Sequence, residues 1–295
     1  MDTPAIYIPC CDASLPIVKI SSYLYNKFWP KAQVHFLGFA APEFDFYNEN
    51  HTFHSLAPEQ VGGATSWTRY IHDFMKDVPE DFVIFSLDDY LLCGAPDLEM
   101  IQTALGLMHK TSKIGRFDLT FDTQIEGNIS PMGKVNNFMV VHKKPDAPYR
   151  ISTQPAVWNR EFLLKFLDND WSPWDFEIKG SQKASIEKMP SQTVAFYDRG
   201  LSRYPLRTTA KGAVSRFNPD KFNVLGLQPE TIKELVKEGF FEERDLIWGQ
   251  HANNPPRFFE KEGYEFHPSF LDFHPTSPTH FEEYIVYTTI PNHRC

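Results

Sequence analysis

Between Asp81 and Leu87 the chain reads Asp-Phe-Val-Ile-Phe-Ser-Leu, a nearly unbroken apolar run that stops abruptly at Asp88-Asp89-Tyr90. A strand with one wet face alternates apolar and polar residues. A run apolar on both faces needs cover on both, which is the situation inside a parallel sheet sandwiched by helices. The chain opens with a shorter run of the same kind, Ala5-Ile6-Tyr7-Ile8-Pro9, and a second strand is expected over 33–39. Between these two, residues 15–29 place Ile17, Ile20, Tyr23, Leu24 and Phe28 at helical spacing; residues 65–75 do the same with Trp67, Tyr70, Ile71 and Phe74. Strand, helix, strand, helix, strand predicts an α/β fold, a Rossmann-like, mostly parallel sheet with helices on both faces.

In such sheets ligands bind outside the carboxyl ends of the strands. Asp12 follows the first strand and Asp88-Asp89 follow a later one, so the topology predicts that these distant acids share one edge. Beyond them, a helix is expected over 97–108, strands over 113–121, 137–142 and 150–156, and a helix over 158–167. A further helix opens at Ser172, a strand covers 194–197, and a helix covers 229–238. The stretch from 40 to 64 reads as a polar, aromatic loop. Residues 1–222 are expected to form the main domain, and 223–295 a helical or irregular extension packed on it.

Composition narrows the function. With a net charge of −9 over 295 residues and no dense Lys/Arg block, nucleic acid is not an expected partner. The local basic stretch Arg203, Arg207, Lys211, Arg216 and Lys221 could still hold one small phosphate ligand. Four cysteines without a CxxC spacing argue against structural zinc. No apolar run of membrane-spanning length and no basic-then-apolar leader is present, so a cytoplasmic protein with reduced thiols is expected. The 26 Phe, 12 Tyr and 6 Trp suit an aromatic core, and part of them could face a sugar, whose C–H faces stack on aromatic rings.

Two constellations carry chemistry. Asp88 and Asp89 at a strand end cannot both ionise without cost, since like charges raise each other's pKa. A hard divalent cation removes that cost and prefers oxygen ligands; the alternative is a solvated turn capping the next helix. The second is Ser172-Pro173-Trp174-Asp175-Phe176-Glu177. Ser then Pro reads as N-cap and first helical residue, which makes Asp175 the carboxylate that reaches back to the cap. Glu177 has no such duty. Trp174 and Phe176 read as packing residues or sugar platforms. Trp158 reads as core on a helix face, Asp12 as a helix cap or a ligand group, and His142 and His251 as structural residues or metal ligands.

In this order the segments resemble nucleotide-sugar glycosyltransferases of the GT-A fold, and more closely a group of bacterial and viral polysaccharide glycosyltransferases. The matching stretches are Val83 to Leu92, Ser152-Thr153-Gln154-Pro155-Ala156-Val157-Trp158-Asn159-Arg160 and Ser172 to Glu177, with Ser66-Trp67 opening the earlier helix. The resemblance spans roughly residues 4 to 220. It implies a DxD-type motif, here Leu87-Asp88-Asp89, with Asp89 on Mn2+ or Mg2+ and Asp88 on the ribose or at the second metal position. It implies a general base for an inverting transfer at Glu177, with Asp175 as the alternative. Pro9, Cys10, Asp12, Ser66, Asp88, Gln154, Arg207 and Lys211 would then contact a UDP-, GDP- or dTDP-linked sugar donor, and the acceptor would be a glycan hydroxyl. Two other classes fit part of the pattern: a non-catalytic sugar-nucleotide or glycan-binding module of the same fold, and a metal-dependent phosphohydrolase.

Overall fold

The computed structural model describes residues 3–120, 128–136, 138–167, 169–186, 193–196, 206–208, 222–223 and 229–247. In chain order the elements are β1 (Ile6–Pro9), α1 (Leu15–Phe28), β2 (Val34–Gly38), β3 (His51–Ser55), α2 (Trp67–Met75), β4 (Phe82–Phe85) and β5 (Tyr90–Leu92). Then come α3 (Leu98–Lys110), β6 (Arg116–Asp118), β7 (Ile129–Val135), β8 (Phe138–Lys143), β9 (Ala156–Asn159), α4 (Arg160–Leu167) and α5 (Pro173–Ile186). The rest are β10 (Thr193–Phe196), β11 (Leu206–Thr208), β12 (Phe222–Asn223), α6 (Pro229–Lys237) and β13 (Leu246–Ile247).

Nine strands form one sheet in the order β3-β2-β1-β4-β9-β6-β10-β8-β7. The ladders run β3, β2, β1, β4, β6, β10 and β7 in one direction and β9 and β8 in the other. The strands of β1 are buried on both sides, as the unbroken apolar runs require. Ile6 and Ile8 face α1 and α3 with Val18, Tyr25, Met100, Ile101 and Met108. Ala5 and Tyr7 face α2, α4 and α5 with Ile71, Met75, Phe162, Phe166 and Phe176. This is the expected α/β sheet with helices on both faces.

Local sequence sets the element ends. Helix α1 carries Pro16 in its first turn, where no amide is needed, and ends at Trp29, before Pro30. Asp97 caps α3 by accepting from the Met100 amide at 3.0 Å. Gly38 ends β2 where a Cβ would stand 2.9 Å from Cys10 Sγ and from the Phe53 ring, so the close packing of β1, β2 and β3 there admits glycine.

Three readings of the sequence are corrected. The 40–64 stretch contains β3, which pairs in parallel with β2 over five residues. Residues 150–155 are not a strand: the strand is β9, Ala156–Asn159, and the helix begins only at Arg160. Trp158 is therefore core on a strand, fully buried among Phe162, Phe166 and Phe176. The described part of the extension packs on α1: Ile232, Leu235, Phe241 and Leu246 pack with Ile17, Ile20, Leu24 and Leu91.

Candidate active site

Strands β1 and β4 lie side by side in parallel with Tyr7 opposite Phe85, so the 10–14 turn and the 86–89 turn leave the sheet at one edge. This is the edge sharing expected from the topology. Strand β9 runs backwards beside β4, with Ala156 opposite Phe85 and opposite Asp118 of β6. The segment that enters β9 therefore arrives at the same edge that β1, β4 and β6 leave.

Asp88 and Asp89 are half-buried in this rim. Asp88 is pushed up by burial; the Ser14 hydroxyl and backbone amides, that of Cys11 among them, pull the other way. Asp89 is pushed up by burial first and then by the charge of Asp88, with Glu177 adding to it. Its Oδ1 is buried and has no hydrogen-bond partner among the described residues. The acid pair is thus not a solvated turn. It is a concentration of negative charge with no ion-pair partner among the described residues, a condition that a bound cation would relieve. Among the described residues no three of His, Cys, Asp and Glu converge on a metal-sized point. Among the described residues the rim thus presents two adjacent carboxylates, with Glu177 acting on Asp89 from α5.

Glu177 reaches the same place from α5. Its Oε1 accepts from the Thr153 amide at 2.7 Å and the Thr153 hydroxyl at 2.8 Å. Burial pushes it up, while these two donors and the charges of Arg116 and Lys143 restrain the rise. Asp175, two residues earlier, has another role. Its Oδ2 accepts from the Ser172 hydroxyl at 3.0 Å, its amide donates back to Ser172 Oγ at 3.1 Å, and its Oδ1 pairs with Lys179 at 2.8 Å. Lys179, and then Ser172, hold it below the usual carboxylate range. The capping reading describes Asp175.

Residues 114–119 hold a group that the sequence reading passed over. Arg116 Nη1 pairs with Asp118 Oδ1 at 2.6 Å and Lys143 Nζ with Asp118 Oδ2 at 2.9 Å, all three side chains being essentially inaccessible. Arg116 also stacks over the Trp158 ring at 5.0 Å. The signal was present: two opposite charges two apart inside a predicted buried strand point to one face and must be paired there.

The remaining candidates divide. Cys10 is buried, its thiol donates to Leu37 O at 3.4 Å, and burial followed by the nearby acids pushes it far above the ordinary thiol range, so it is a packing thiol. Pro9 ends β1 on the rim. Asp12 is exposed and accepts from the Ala40 amide at 2.9 Å, bracing the rim against the end of β2. Ser66 turns inward and donates to Val61 O and Gly63 O. Gln154 Oε1 accepts from the Thr120 hydroxyl at 3.1 Å. Arg207 lies in β11, paired opposite Leu91 of β5, one residue past the Asp-Asp-Tyr motif. Trp174 stands 41% exposed on the first turn of α5, while Phe176 is core. His142 Nδ1 lies 3.3 Å from the Lys143 carbonyl. Lys211, Arg203, Arg216, Lys221 and His251 lie outside the described residues. No helix among the described residues is long and apolar enough to cross a membrane.

No protein-family profile matches the chain, and no curated protein matches it. Among solved structures it is similar to a cytidylyltransferase from Leptospira borgpetersenii, at 11% identity and a TM-score of 0.41 over 81% of this chain and 95% of that one. It is also similar to the glycosyltransferase GlyE of Streptococcus pneumoniae, at 11% identity and a TM-score of 0.40 over 68% of this chain. S. aureus TarS, residues 1–349, matches at 13% identity and a TM-score of 0.40 over 67% of this chain. The chain spans 46% of GlyE and 58% of that TarS structure. At such scores the likeness transfers no chemistry, which must come from the site.

Proposed function

We propose that this chain is a glycosyltransferase that moves a sugar from a nucleoside diphosphate sugar onto a hydroxyl of a glycan acceptor, with inversion at the anomeric carbon. The observation that carries the reading is the buried Oδ1 of Asp89, without a hydrogen-bond partner among the described residues, beside Asp88 and within the field of Glu177. Two carboxylates at the strand end hold the donor's side of the rim. A third, on a separate element, is positioned to act as a base.

Asp89 and Asp88 would hold Mn2+ or Mg2+, and the bound ion supplies positive charge against the donor's diphosphate. Glu177 takes the proton from the acceptor hydroxyl. That oxygen attacks the anomeric carbon, the bond from the anomeric carbon to the diphosphate oxygen breaks, and the nucleoside diphosphate departs with the electron pair. Glu177 suits the part because its Oε1 is tied down by Thr153 and because burial raises its affinity for a proton, against the pull of Thr153, Arg116 and Lys143. The 10–14 turn, with Pro9, Cys10 and Asp12, and Gln154 flank the donor position on this reading, and Arg207 and Lys211 supply cations for the diphosphate. A binding module that performs no transfer would require the two aspartates but no base.

The test is a melting-temperature screen of uridine, guanosine and thymidine diphosphates with and without Mn2+ or Mg2+. A ligand bound only by the folded state raises the melting temperature by mass action, by about 2.7 kcal/mol of stability at a hundredfold excess over Kd. One of the diphosphates stabilises the wild type only with the ion present, and Asp89→Ala loses the shift. Equal stabilisation of both proteins removes the acid pair from the site.

A further inference from the structure

The segment 150–154 has no regular secondary structure, yet Arg150, Ile151, Ser152 and Thr153 are all buried. Its residues alternate between two partners. On one side stands the Arg116 guanidinium. Its Nη1 donates to Arg150 O at 3.3 Å, and its Nη2 donates to Ser152 Oγ at 2.9 Å and to Gln154 O at 3.1 Å. On the other side lies α5. The Ile151 amide donates to Ser181 Oγ at 3.1 Å, the Ser181 hydroxyl donates back to Ile151 O at 3.1 Å, and Thr153 donates twice to Glu177 Oε1. Glu177 and Ser181 are four residues apart and share one stripe of the helix. One buried cation therefore fixes every second residue of the segment, and the residues between are zipped to the helix that carries the base. Asp118 fixes the cation in turn, with Lys143 on its other oxygen.

We infer that Thr153 is the positioning residue for Glu177, with Arg116 the post that sets it, and that Oε2 of Glu177 is the oxygen presented to the acceptor hydroxyl. This rests on the transferase reading for the meaning of Oε2, but not for the placement. Both donors of Thr153 converge on Oε1, and no described hydrogen bond occupies Oε2. A carboxylate held at one oxygen by two donors has one rotamer and one orientation, so the reacting oxygen is aimed before substrate arrives. Among the described residues the charged groups that act on Glu177 are Asp89 beyond the end of β4, Arg116 of β6 and Lys143 of β8. Among the described residues only Thr153 donates a hydrogen bond to Oε1, so the aim runs through Thr153.

Two variants of the full chain test this. Thr153→Val keeps the volume and the amide donor and removes the hydroxyl; Thr153→Ser keeps both donors. With a nucleotide sugar, Mn2+ and an acceptor that the wild type turns over, Thr153→Val lowers kcat about tenfold at unchanged donor KM, and Thr153→Ser restores it. An unchanged kcat in Thr153→Val, or an equal loss in both variants, overturns the inference. A second readout needs no turnover: the 13C titration of the Glu177 carboxyl, identified by its disappearance in Glu177→Gln. Loss of a donor to the ionised form moves the midpoint upward in Thr153→Val and leaves Thr153→Ser at the wild-type position. If the wild type transfers no sugar from any donor, the proposed function fails and this titration decides alone. An unmoved midpoint in Thr153→Val then overturns the positioning.

Discussion

Asp175 and Glu177 sit two residues apart on one helix and obey different physics. Asp175 faces water, closes the capping box of α5 and is stabilised as an anion by Lys179 and Ser172. Glu177 is turned inward, pushed up by burial and held by Thr153. Two substitutions separate them. Asp175→Asn should cost about 1 kcal/mol of stability, the scale of a weakened cap, and leave turnover near that of the wild type. Glu177→Gln should keep the metal-dependent melting shift and lose turnover by several orders of magnitude, measured on the same preparation. A large kcat loss in Asp175→Asn with Glu177→Gln still active would move the base to Asp175. Both acids were legible in the sequence, because Ser-Pro marks the helix start and fixes which carboxylate the cap consumes. Arg116 left a signal only as the partner of Asp118, two residues on; its grip on the 150–154 segment and the role of Thr153 left none. Both depend on which residues of an irregular segment face which neighbour, and no periodicity encodes that.

At the scale of elements, the strands and helices around the site were readable where the apolar period was unbroken, as in β1, β4 and α1. Strand β3 escaped because His51-Thr52-Phe53-His54-Ser55 is polar, and its place at the sheet edge leaves most of it uncovered. Only His51 is fully buried, and it ties the strand to α1. Ser22 Oγ accepts from the Tyr47 amide at 3.0 Å and is hydrogen-bonded to His51 Nδ1 at 2.9 Å. Burial lowers the His51 pKa to about 4. A histidine lowered on folding contributes stability that is fully present above its unfolded pKa of about 6.5 and is lost as pH falls toward 4. The wild type should therefore lose roughly 2 kcal/mol through this residue between pH 7 and pH 5. Urea unfolding of His51→Gln at the two pH values should show a correspondingly shallower dependence. An unchanged difference between wild type and variant would show that the ring is accessible to protons in the folded state.

For the molecule as a whole, the described part of the C-terminal region packs as one core with α1 and the β5 segment. Leu235 of α6 is fully buried with Ile17, Ile20 and Leu24 of α1 and with Leu91, two residues past Asp89. Leu235→Ala should cost about 2–5 kcal/mol, the range for removing a buried leucine side chain, with urea unfolding remaining a single transition. A separate early transition would show that α6 unfolds apart from the sheet. The general α/β plan was legible from the order of its segments. The one backward strand in the middle of the sheet was not, since direction is a property of pairing and leaves no mark on a four-residue apolar run. That reversal has a consequence for how this architecture can change. A rim made by strands that all point the same way is furnished only by the loops that follow them. Turning β9 around adds a loop from upstream, anchored from below by a charge cluster and from the side by a helix. The Asp88-Asp89 pair and Glu177 are thus carried on separate stretches of chain, and either can be rebuilt while the other stays in register.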